Sequence, residues 1–410
     1  MGIAADFVLI IIAGFCGGLL AHALRLPLLV GYVAAGVVVG PYTAGPTVVQ
    51  VRDIELLAEI GVALLLFSLG LEISFRDLQP VRRVALIAGS IQIALTCAIG
   101  ALGANKGFGM PLSEALWFGA LVSVSSTMVV LRTLSADGAM SALSSRIMIG
   151  LLVVQDLAVI PMLIILPELS KPDVAGFDTA LPKIARAVAI AALFLSLMVV
   201  LGTRLLPRLL RGVLTRGSRE LFLVALVAAG VGLGYAAHHA GLSFALGAFV
   251  AGVILSEAEF SHQALRDVMP IRDIFGLLFF VTVGMLLDPR YVLARPLPIA
   301  LAVLSIFVGK ALILGGLVKL FGYSAASAWI VGFGLSQIGE FGFVLARSGL
   351  TLGAISKDTY DLALTCTVLT MALSPLISRA VVPWGASLAG VGLEEPASLV
   401  GSGGTAEQDN

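Results

Sequence analysis

The sequence predicts an all-α polytopic membrane protein, because most residues are apolar, few are charged and the apolar runs have membrane-spanning length. Hydrophobic residues make up 59% and charged residues 12% of the 410 positions, and the mean hydropathy is +1.06. Soluble domains have roughly 45–50% apolar and about 25% charged residues. So few charges could not cover a water-facing surface, and lipid must be the solvent.

Thirteen apolar runs, broken by charges and prolines, come close to the ~20 residues that a helix needs to cross the hydrocarbon core. The second, ninth and tenth runs are short and glycine-rich, so a count of twelve stays open. The longest polar loops are predicted at 168–183 and 257–272. The predicted spans are 3–22, 27–41, 55–71, 83–103, 113–132, 146–167, 184–206, 219–238, 242–256, 272–287, 297–318, 325–346 and 361–382.

The Lys and Arg residues between the spans predict the orientation, because positively charged loops favour the cytoplasm. One set of alternate loops is richer, chiefly through Arg208, Arg211, Arg216 and Arg219. We expect this set in the cytoplasm, which places the N-terminus outside and the C-terminus inside. The first span has no basic region before it and no cleavage site after it, so it is interpreted as a membrane helix rather than a cleaved signal.

Charge and cysteine content narrow the function further. The net charge is zero, so no attraction to nucleic acid is implied. Cys16, Cys97 and Cys366 lie inside apolar runs without paired spacing, so they indicate neither a disulfide nor a metal site. The Gly-, Ser- and Glu-rich tail 384–410 is too short to be a domain and is expected to be disordered in the cytoplasm.

Asp156 is a charged residue predicted to lie at membrane depth, where a charge costs about 2.5–3.5 kcal/mol on insertion scales. It lies near the middle of span 146–167, after Gln155 and before Pro161. A structural carboxylate that caps a kink or pairs with another helix is one interpretation. We favour an ion or proton site, because an ionised carboxylate offers oxygen ligands to an alkali cation and a protonated one is neutral.

Lys310 lies in the middle of span 297–318. Its side chain could snorkel to one face of the membrane. Alternatively it pairs with Asp156, since each would otherwise be an uncompensated buried charge. An ion pair that breaks when the cation binds and forms again when the cation leaves is a hypothesis for a switch.

Span 325–346 contains an unusual number of glycines around a third charged residue, Glu340. Glycines in a membrane helix can simply allow close packing, or they can mark an interruption whose carbonyls face a cavity. Glu340 would then neutralise the ends of the half-helices or lie at the cytoplasmic gate. The glycines and polar residues expected to support the interruption are Gly332, Gly334, Ser336, Gln337, Gly339 and Gly342.

Span 113–132 carries four hydroxyl side chains at mid-membrane: Ser123, Ser125, Ser126 and Thr127. Taken alone, such hydroxyls bond back to the carbonyl four residues earlier. Together with the glycine-rich span they predict two discontinuous helices, and interrupted segments in two halves of a bundle indicate a transporter site.

The order of the spans is compatible with inverted repeats, although no sequence identity between the halves is visible. If 83–167 and 297–382 are related by an inverted two-fold, the two discontinuous helices cross near the midplane. Asp156 and Lys310 would then lie on either side of the crossing.

Seven segments, in family order and reaching about residue 383, resemble the Kef-type monovalent cation:proton antiporters. One such match would be weak evidence, whereas seven in order are specific. The segments are VGYVAAGVVVGP (30–41), EIGVALLLFSLGLEIS (59–74), SSTMVVLRTL (125–134), GLLVVQDLAVIPML (150–163), LGAFVAGVILSE (246–257), FGLLFFVTVGMLLD (275–288) and SQIGEFGFVL (336–345).

The resemblance implies a homodimer of NhaA-like architecture in a bacterial-type inner (plasma) membrane. Residues 1–80 and 218–290 would form a scaffold and dimerisation domain. Residues 83–168 and 297–383 would form the ion-translocating core, and the helix at 184–210 would link the two domains. The core would move against the scaffold like an elevator.

The resemblance also implies roles for single residues. The family's Gln–Asp pair falls on Gln155 and Asp156, its core lysine on Lys310, and its broken-helix hydroxyls on the cluster at 125–127. Related sodium exchangers often carry two acidic residues in place of this pair, so the Gln–Asp form favours K⁺ over Na⁺.

Kef proteins normally also carry a C-terminal nucleotide-binding regulatory domain that senses glutathione conjugates. No G-x-G-x-x-G after a strand pattern follows the last span of this sequence. Glutathione gating and nicotinamide binding are therefore not carried over, and a separate regulatory subunit is left open.

The sequence thus predicts a transporter, not an enzyme, that needs no cofactor and exchanges K⁺ or Na⁺ for H⁺ at Asp156. A Na⁺/H⁺ antiporter of the same fold is the first alternative. A channel-like gated K⁺ efflux pathway would need a selectivity ring, and no repeated filter motif is visible. A non-transporting membrane sensor and an organic-anion symporter also stay open, although the mid-span Asp with a lysine disfavours an anionic substrate.

Overall fold

The structure, a computed structural model, consists of helices joined by short connections, with no strand in the part of the chain that it describes. It describes residues 2–44, 47–48, 51–72, 81, 83–136, 142–170, 206, 208–213, 218–239, 244–256 and 258–388, and the single positions 182, 185, 186, 189, 193 and 196. The helices are α1 Gly2–Ala23, α2 Leu28–Val39, α3 Val51–Glu72, α4 Gly89–Phe108, α5 Leu112–Ser123, α6 Thr127–Ala136, α7 Leu143–Leu169, α8 Arg219–His239, α9 Phe244–Ser256, α10 Ser261–Met285, α11 Pro289–Ala294, α12 Pro296–Leu320, α13 Ala325–Gly334, α14 Phe341–Thr351 and α15 Lys357–Leu388.

Seven helices of the described chain are long and apolar enough to cross a membrane, which makes this a multi-pass membrane protein. They are α1, α4 with the π-helical turn Val84–Ala88 that precedes it, α7, α8, α10, α12 and the first 22 residues of α15. Shorter apolar helices or segments lie in α2, α3, α5, α9 and α13. The total of thirteen spans stays a prediction.

Two of the predicted spans are interrupted. Between α5 and α6 the chain leaves the helical conformation at residues 124–126, which we call the first break. Between α13 and α14 it does so at residues 335–340, the second break. Each break leaves backbone N–H and C=O groups without the bonds that a continuous helix would give them.

The helices pack in two groups. α3 packs against α9 and α10, α2 packs against α1 and α10, and α8 packs against α9. In the other group α4 packs against α5 and α7, and α13 packs against α12 and α15. Glycine allows close approach within the first group: a Cβ on Gly252 would lie 2.1 Å from Phe67 O on α3, and one on Gly70 would lie 2.4 Å from Phe249 O on α9.

The second group contains one layout twice. Residues 84–169 form a long helix, an interrupted helix and another long helix, and residues 296–388 repeat this order. Each break therefore lies between the two long helices of its own half in sequence, and these helices carry the polar side chains described below.

One predicted loop is largely helical. Residues 257–272 were predicted to be polar loop, whereas α10 begins at Ser261, eleven residues before the predicted start. Two ion pairs involve its charged residues: Arg219 Nη2 lies 2.6 Å from Asp267 Oδ1, and Arg272 pairs with Asp273. Because Ala264 and Val268 are buried on the same stretch, the helix continues past the end of the apolar run.

Other predictions fall wholly or partly outside the described residues. Most of the predicted linker helix 184–210 lies there, as do residues 171–181 and 183 of the predicted loop 168–183 and the tail beyond residue 388. α15 continues to Leu388, so the first five residues of the predicted tail belong to its last turns.

Candidate ion-binding site

The two breaks are in direct contact through their backbones. Gly339 N donates to Val124 O at 3.1 Å, and Ser125 Oγ donates to Leu335 O at 2.7 Å. Glycine at position 339 allows the two breaks to approach this closely, because a Cβ there would lie 2.5 Å from Ser125 O. Each break thus satisfies backbone groups that the other leaves unpaired.

Lys310 of α12 joins the two breaks. Its Nζ donates to Val124 O at 2.9 Å, to Ser125 Oγ at 3.0 Å and to Gln337 O at 2.7 Å. An ammonium group has three N–H donors, so these bonds use all of them. The side chain is fully buried and does not snorkel to a membrane face. In this conformation its three hydrogen bonds go to the two breaks and not to Asp156, the predicted partner.

Asp156 lies in the middle of α7 and is buried. Thr127, the first residue of α6, donates its Oγ1 hydrogen to Asp156 Oδ2 at 2.9 Å. The carboxylate therefore faces the start of α6, directly after the first break. Helix N-termini favour negative charge, because unpaired N–H groups give them partial positive charge.

Gln155 precedes Asp156 but contacts a different part of the break. Its Oε1 accepts from Ser125 N at 2.8 Å, and its Nε2 donates to Gln92 Oε1 of α4 at 2.7 Å. Gln92 Nε2 in turn donates to Ser123 O at 2.9 Å and to Thr96 Oγ1 at 3.1 Å. Both amides are thus engaged with the backbone of α5 and the first break or with each other.

Ser126 and Glu340 form the polar contact on the other side of the first break. Ser126 Oγ donates to Glu340 Oε2 at 2.6 Å and accepts from Val129 N at 3.3 Å, so it caps the first turn of α6. Glu340 directly precedes α14 without a side-chain capping bond to that helix. Glu340 thus contacts the first turn of α6 through Ser126, and its role at a cytoplasmic gate stays a prediction.

The second break is closed by α15. Ile338 N donates to Thr370 Oγ1 at 3.1 Å, and Ser336 Oγ donates back to Phe333 O at 2.8 Å. Gln337 is fully buried, and neither its Nε2 nor its Oε1 has a hydrogen-bond partner among the described residues. Gln337 contributes to the break through its backbone carbonyl, which accepts a hydrogen bond from Lys310.

A cavity of about 540 Å³ reaches the breaks from one end of the helices. Its wall includes Thr127 and Glu340 beside the breaks, Arg25 in the connection between α1 and α2, and Arg272 and Asp273 on α10. The first group of helices supplies one side of the cavity, through α3 and α10, and α6 supplies part of the other. Water entering this cavity would reach Thr127, which is one hydrogen bond from Asp156.

The predicted site residues therefore fall into separate contacts. Thr127 binds Asp156, whereas Ser125 binds Leu335 and Ser126 binds Glu340. The sequence analysis missed Gln92 and Thr370. A lone amide in the apolar run of α4 was a usable signal, because a buried amide needs partners; Thr370 had none, because threonine is common in membrane helices.

Two curated proteins are similar to this chain over about nine tenths of its length. YbaL of Escherichia coli (strain K12), whose name describes a cation/proton antiporter, is 37% identical over 375 residues, which are 90% of this chain and 66% of that protein. K(+) efflux antiporter 4 of Arabidopsis thaliana is 34% identical over 92% of this chain and 63% of its own length. This chain thus spans less than two thirds of the length of these relatives.

A solved structure shares the fold. The sodium proton antiporter MjNhaP1 from Methanocaldococcus jannaschii superposes with a TM-score of 0.71 at 15% identity, covering 95% of this chain and 99% of that one. The family model for the transmembrane part of sodium/hydrogen exchangers matches residues 8–384. This match, over most of the chain, shows that the protein belongs to the sodium/hydrogen exchanger family.

Proposed function

We propose that this protein exchanges a monovalent cation for protons by alternating access, with proton and cation competing for Asp156. The observation that carries the proposal is the Thr127–Asp156 contact: a buried carboxylate bound to a residue that lines an open cavity. The reaction makes and breaks no covalent bond other than the bond to the proton, so the protein is a transporter and not an enzyme.

Exchange follows from the cost of moving a bare charge. A carboxylate without a counter-ion or hydrogen bonds is expensive in a low-dielectric barrier. With a cation bound, Asp156 is compensated, and the Thr127 hydroxyl oxygen can add a ligand. With a proton bound, it is neutral. Only these two loaded forms cross at low cost, which couples one flux to the other.

K⁺ is the cation that we favour. The relative named for K(+) efflux and the Gln155–Asp156 pair support K⁺. Na⁺ is the second candidate, supported by the description of the family model and by the name of the matching structure.

The architecture belongs to the same proposal. Thirteen spans would contain two inverted repeats whose discontinuous helices cross at the two breaks, as in NhaA-like folds. Residues 1–80 and 218–290 would form the scaffold of a homodimer, and residues 83–168 and 297–383 the moving core, with 184–210 as the link. The separation of the helices into two packed groups supports this division.

The cavity supports a state that is open on one side only. At the end of the helices away from it, Lys357 of α15 donates to Leu286 O after α10 at 2.6 Å, which ties the two groups together. The open end carries Arg25 and Arg272, so by the positive-inside rule it faces the cytoplasm of a bacterial-type inner membrane.

The test is transport by the purified protein in proteoliposomes that contain a pH-sensitive dye. An imposed pH gradient should collapse on addition of K⁺, with Na⁺, Li⁺ and Rb⁺ compared in turn. Asp156→Asn cannot ionise and should abolish cation-dependent proton flux. Asp267→Asn is the matched control, because Asp267 is equally buried but pairs with Arg219 in the first helix group.

Four outcomes would contradict the proposal. Equal signals from wild type and Asp156→Asn would remove the site. Cation flux without proton movement would indicate the channel-like pathway, and no flux of any cation would indicate a sensor. A response to organic anions but not to alkali cations would indicate the symporter.

A further inference from the structure

Gln92 lies on α4 at membrane depth and is fully buried. Nothing in the transport scheme uses it directly, yet its amide makes three hydrogen bonds. These go to Thr96 on its own helix, to the carbonyl that ends α5, and to Gln155. A buried amide on a helix that does not carry the carboxylate is thus connected to the break beside it.

The direction of these bonds is fixed at both ends. Ser123 O can only accept and Ser125 N can only donate, because both are backbone groups. Gln92 must therefore turn Nε2 to Ser123 O and Oε1 to Gln155, and Gln155 must turn Nε2 to Gln92 and Oε1 to Ser125 N. Neither amide can flip without placing two donors or two acceptors against each other.

The two amides replace helical bonds that the first break lacks. Three successive hydrogen bonds, from Ser123 O through Gln92 and Gln155 to Ser125 N, join the end of α5 to the first break. Thr127 follows Ser125 by two residues and Asp156 follows Gln155 by one. Any movement of Gln155 that releases Ser125 would therefore displace the contact between Thr127 and the carboxylate.

We propose that Gln92 is a positioning residue for cation binding, acting through Gln155 to hold the first break in its binding geometry. The inference rests on the proposed function. It also explains why position 155 must both donate and accept: a carboxylate at 155 could accept from Ser125 but could not donate to Gln92. Gln155→Glu would force Gln92 to flip and to give up Ser123 O.

The experiment compares Gln92→Met, Gln155→Met and the double variant, with Gln263→Met of α10 as the control for the same chemical change. Two quantities are measured on purified protein. One is the K⁺ concentration for half-maximal proton exchange in proteoliposomes. The other is the hydrogen–deuterium exchange rate of peptides that cover 120–128, with peptides that cover 335–340 as the internal reference.

Gln92→Met should raise the half-maximal K⁺ concentration about tenfold and speed exchange at 120–128 by a similar factor, since it leaves buried polar groups unpaired. In the Gln155→Met background the same change should add less than about twofold, because Gln92 acts through Gln155. Gln263→Met should change neither quantity. If Gln92→Met fails to fold, Gln155→Met and the double variant still test one half of the inference: an additional change of more than about twofold in the double variant would overturn it.

Equal losses from Gln92→Met in both backgrounds, or no loss in wild type, would overturn the inference. So would equal increases in exchange at 120–128 and at 335–340, which would indicate general loosening. The exchange readout does not require transport. A failure of the proposed antiport activity would therefore appear in the Asp156→Asn comparison, without altering how Gln92 and the first break are coupled.

Discussion

The two breaks share a layout but are closed by different chemistry. In the first half, two neutral amides on α4 and α7 hold the break, and a hydroxyl at its end binds the carboxylate. In the second half, an ammonium on α12 and a hydroxyl on α15 hold the break. Gln155, the thirteenth residue of α7, and Thr370, the fourteenth of α15, perform the same task in their halves.

This difference indicates a division of labour. In the first half, neutral amides hold the break that presents Asp156, and the positive charge that reaches this break comes from the second half. The buried positive charge, Lys310, instead binds carbonyls of both breaks. Carbonyl oxygens carry partial negative charge, and an ammonium stabilises several of them at once. Through Lys310, the second half thus helps to fix the geometry of the break next to Asp156.

Removal of Lys310 is the most severe test of this division. Lys310→Met should lower the free energy of unfolding by about 2–3 kcal/mol, because buried carbonyls of both breaks lose charge-assisted bonds. The measurement is the thermal unfolding midpoint of the purified protein in detergent. Lys319→Met, at the exposed end of the same helix, is the control and should shift the midpoint little. Equal midpoints for the two variants would show that the ammonium does not hold the breaks together.

The contact between the breaks gives the next largest effect. A Cβ on Gly339 would meet Ser125 O at 2.5 Å and Ser125 C at 2.6 Å, and neither backbone atom can move freely. Gly339→Ala should therefore destabilise the protein by about 1–3 kcal/mol and reduce transport. At Gly334 the nearest atom is Met148 Sδ at 2.6 Å, the flexible part of a side chain. Gly334→Ala should cost less, and a larger loss there would place the critical approach outside the breaks.

How much the sequence foretold depends on the kind of residue. Asp156, Lys310 and Glu340 stand out because a charge in an apolar run is costly and needs a reason to be there. The clusters of glycines and of hydroxyl side chains located both interruptions, because such residues at membrane depth indicate a discontinuous helix. The buried amide of Gln92 signalled a need for partners without showing which, because those partners lie on other helices, and Thr370 does not stand out among the threonines of α15.

The sequence also could not predict which groups the buried polar side chains bind. Lys310 and Asp156 were predicted to form an ion pair, yet Lys310 donates its three hydrogen bonds to two carbonyls and a hydroxyl. The resemblance grouped the hydroxyls at 125–127 as one set, whereas three successive side chains of an interrupted helix point to three different partners. α10 began earlier than hydropathy predicted, since ion pairs allow polar residues to continue a helix.

Thr370 gives the smallest and most local test. Thr370→Val keeps the shape of the side chain but removes the oxygen that accepts from Ile338 N, leaving one buried N–H unpaired. A loss of about 1 kcal/mol in unfolding free energy is expected, with faster hydrogen–deuterium exchange at 335–340 and unchanged exchange at 120–128. Thr367→Val, three residues earlier, is the control, because its hydroxyl only bonds back to Ala363 O of its own helix. If Thr370→Val loosened 120–128 as much as 335–340, the Thr370 hydroxyl would not act on the second break alone, and the comparison between the two breaks would fail.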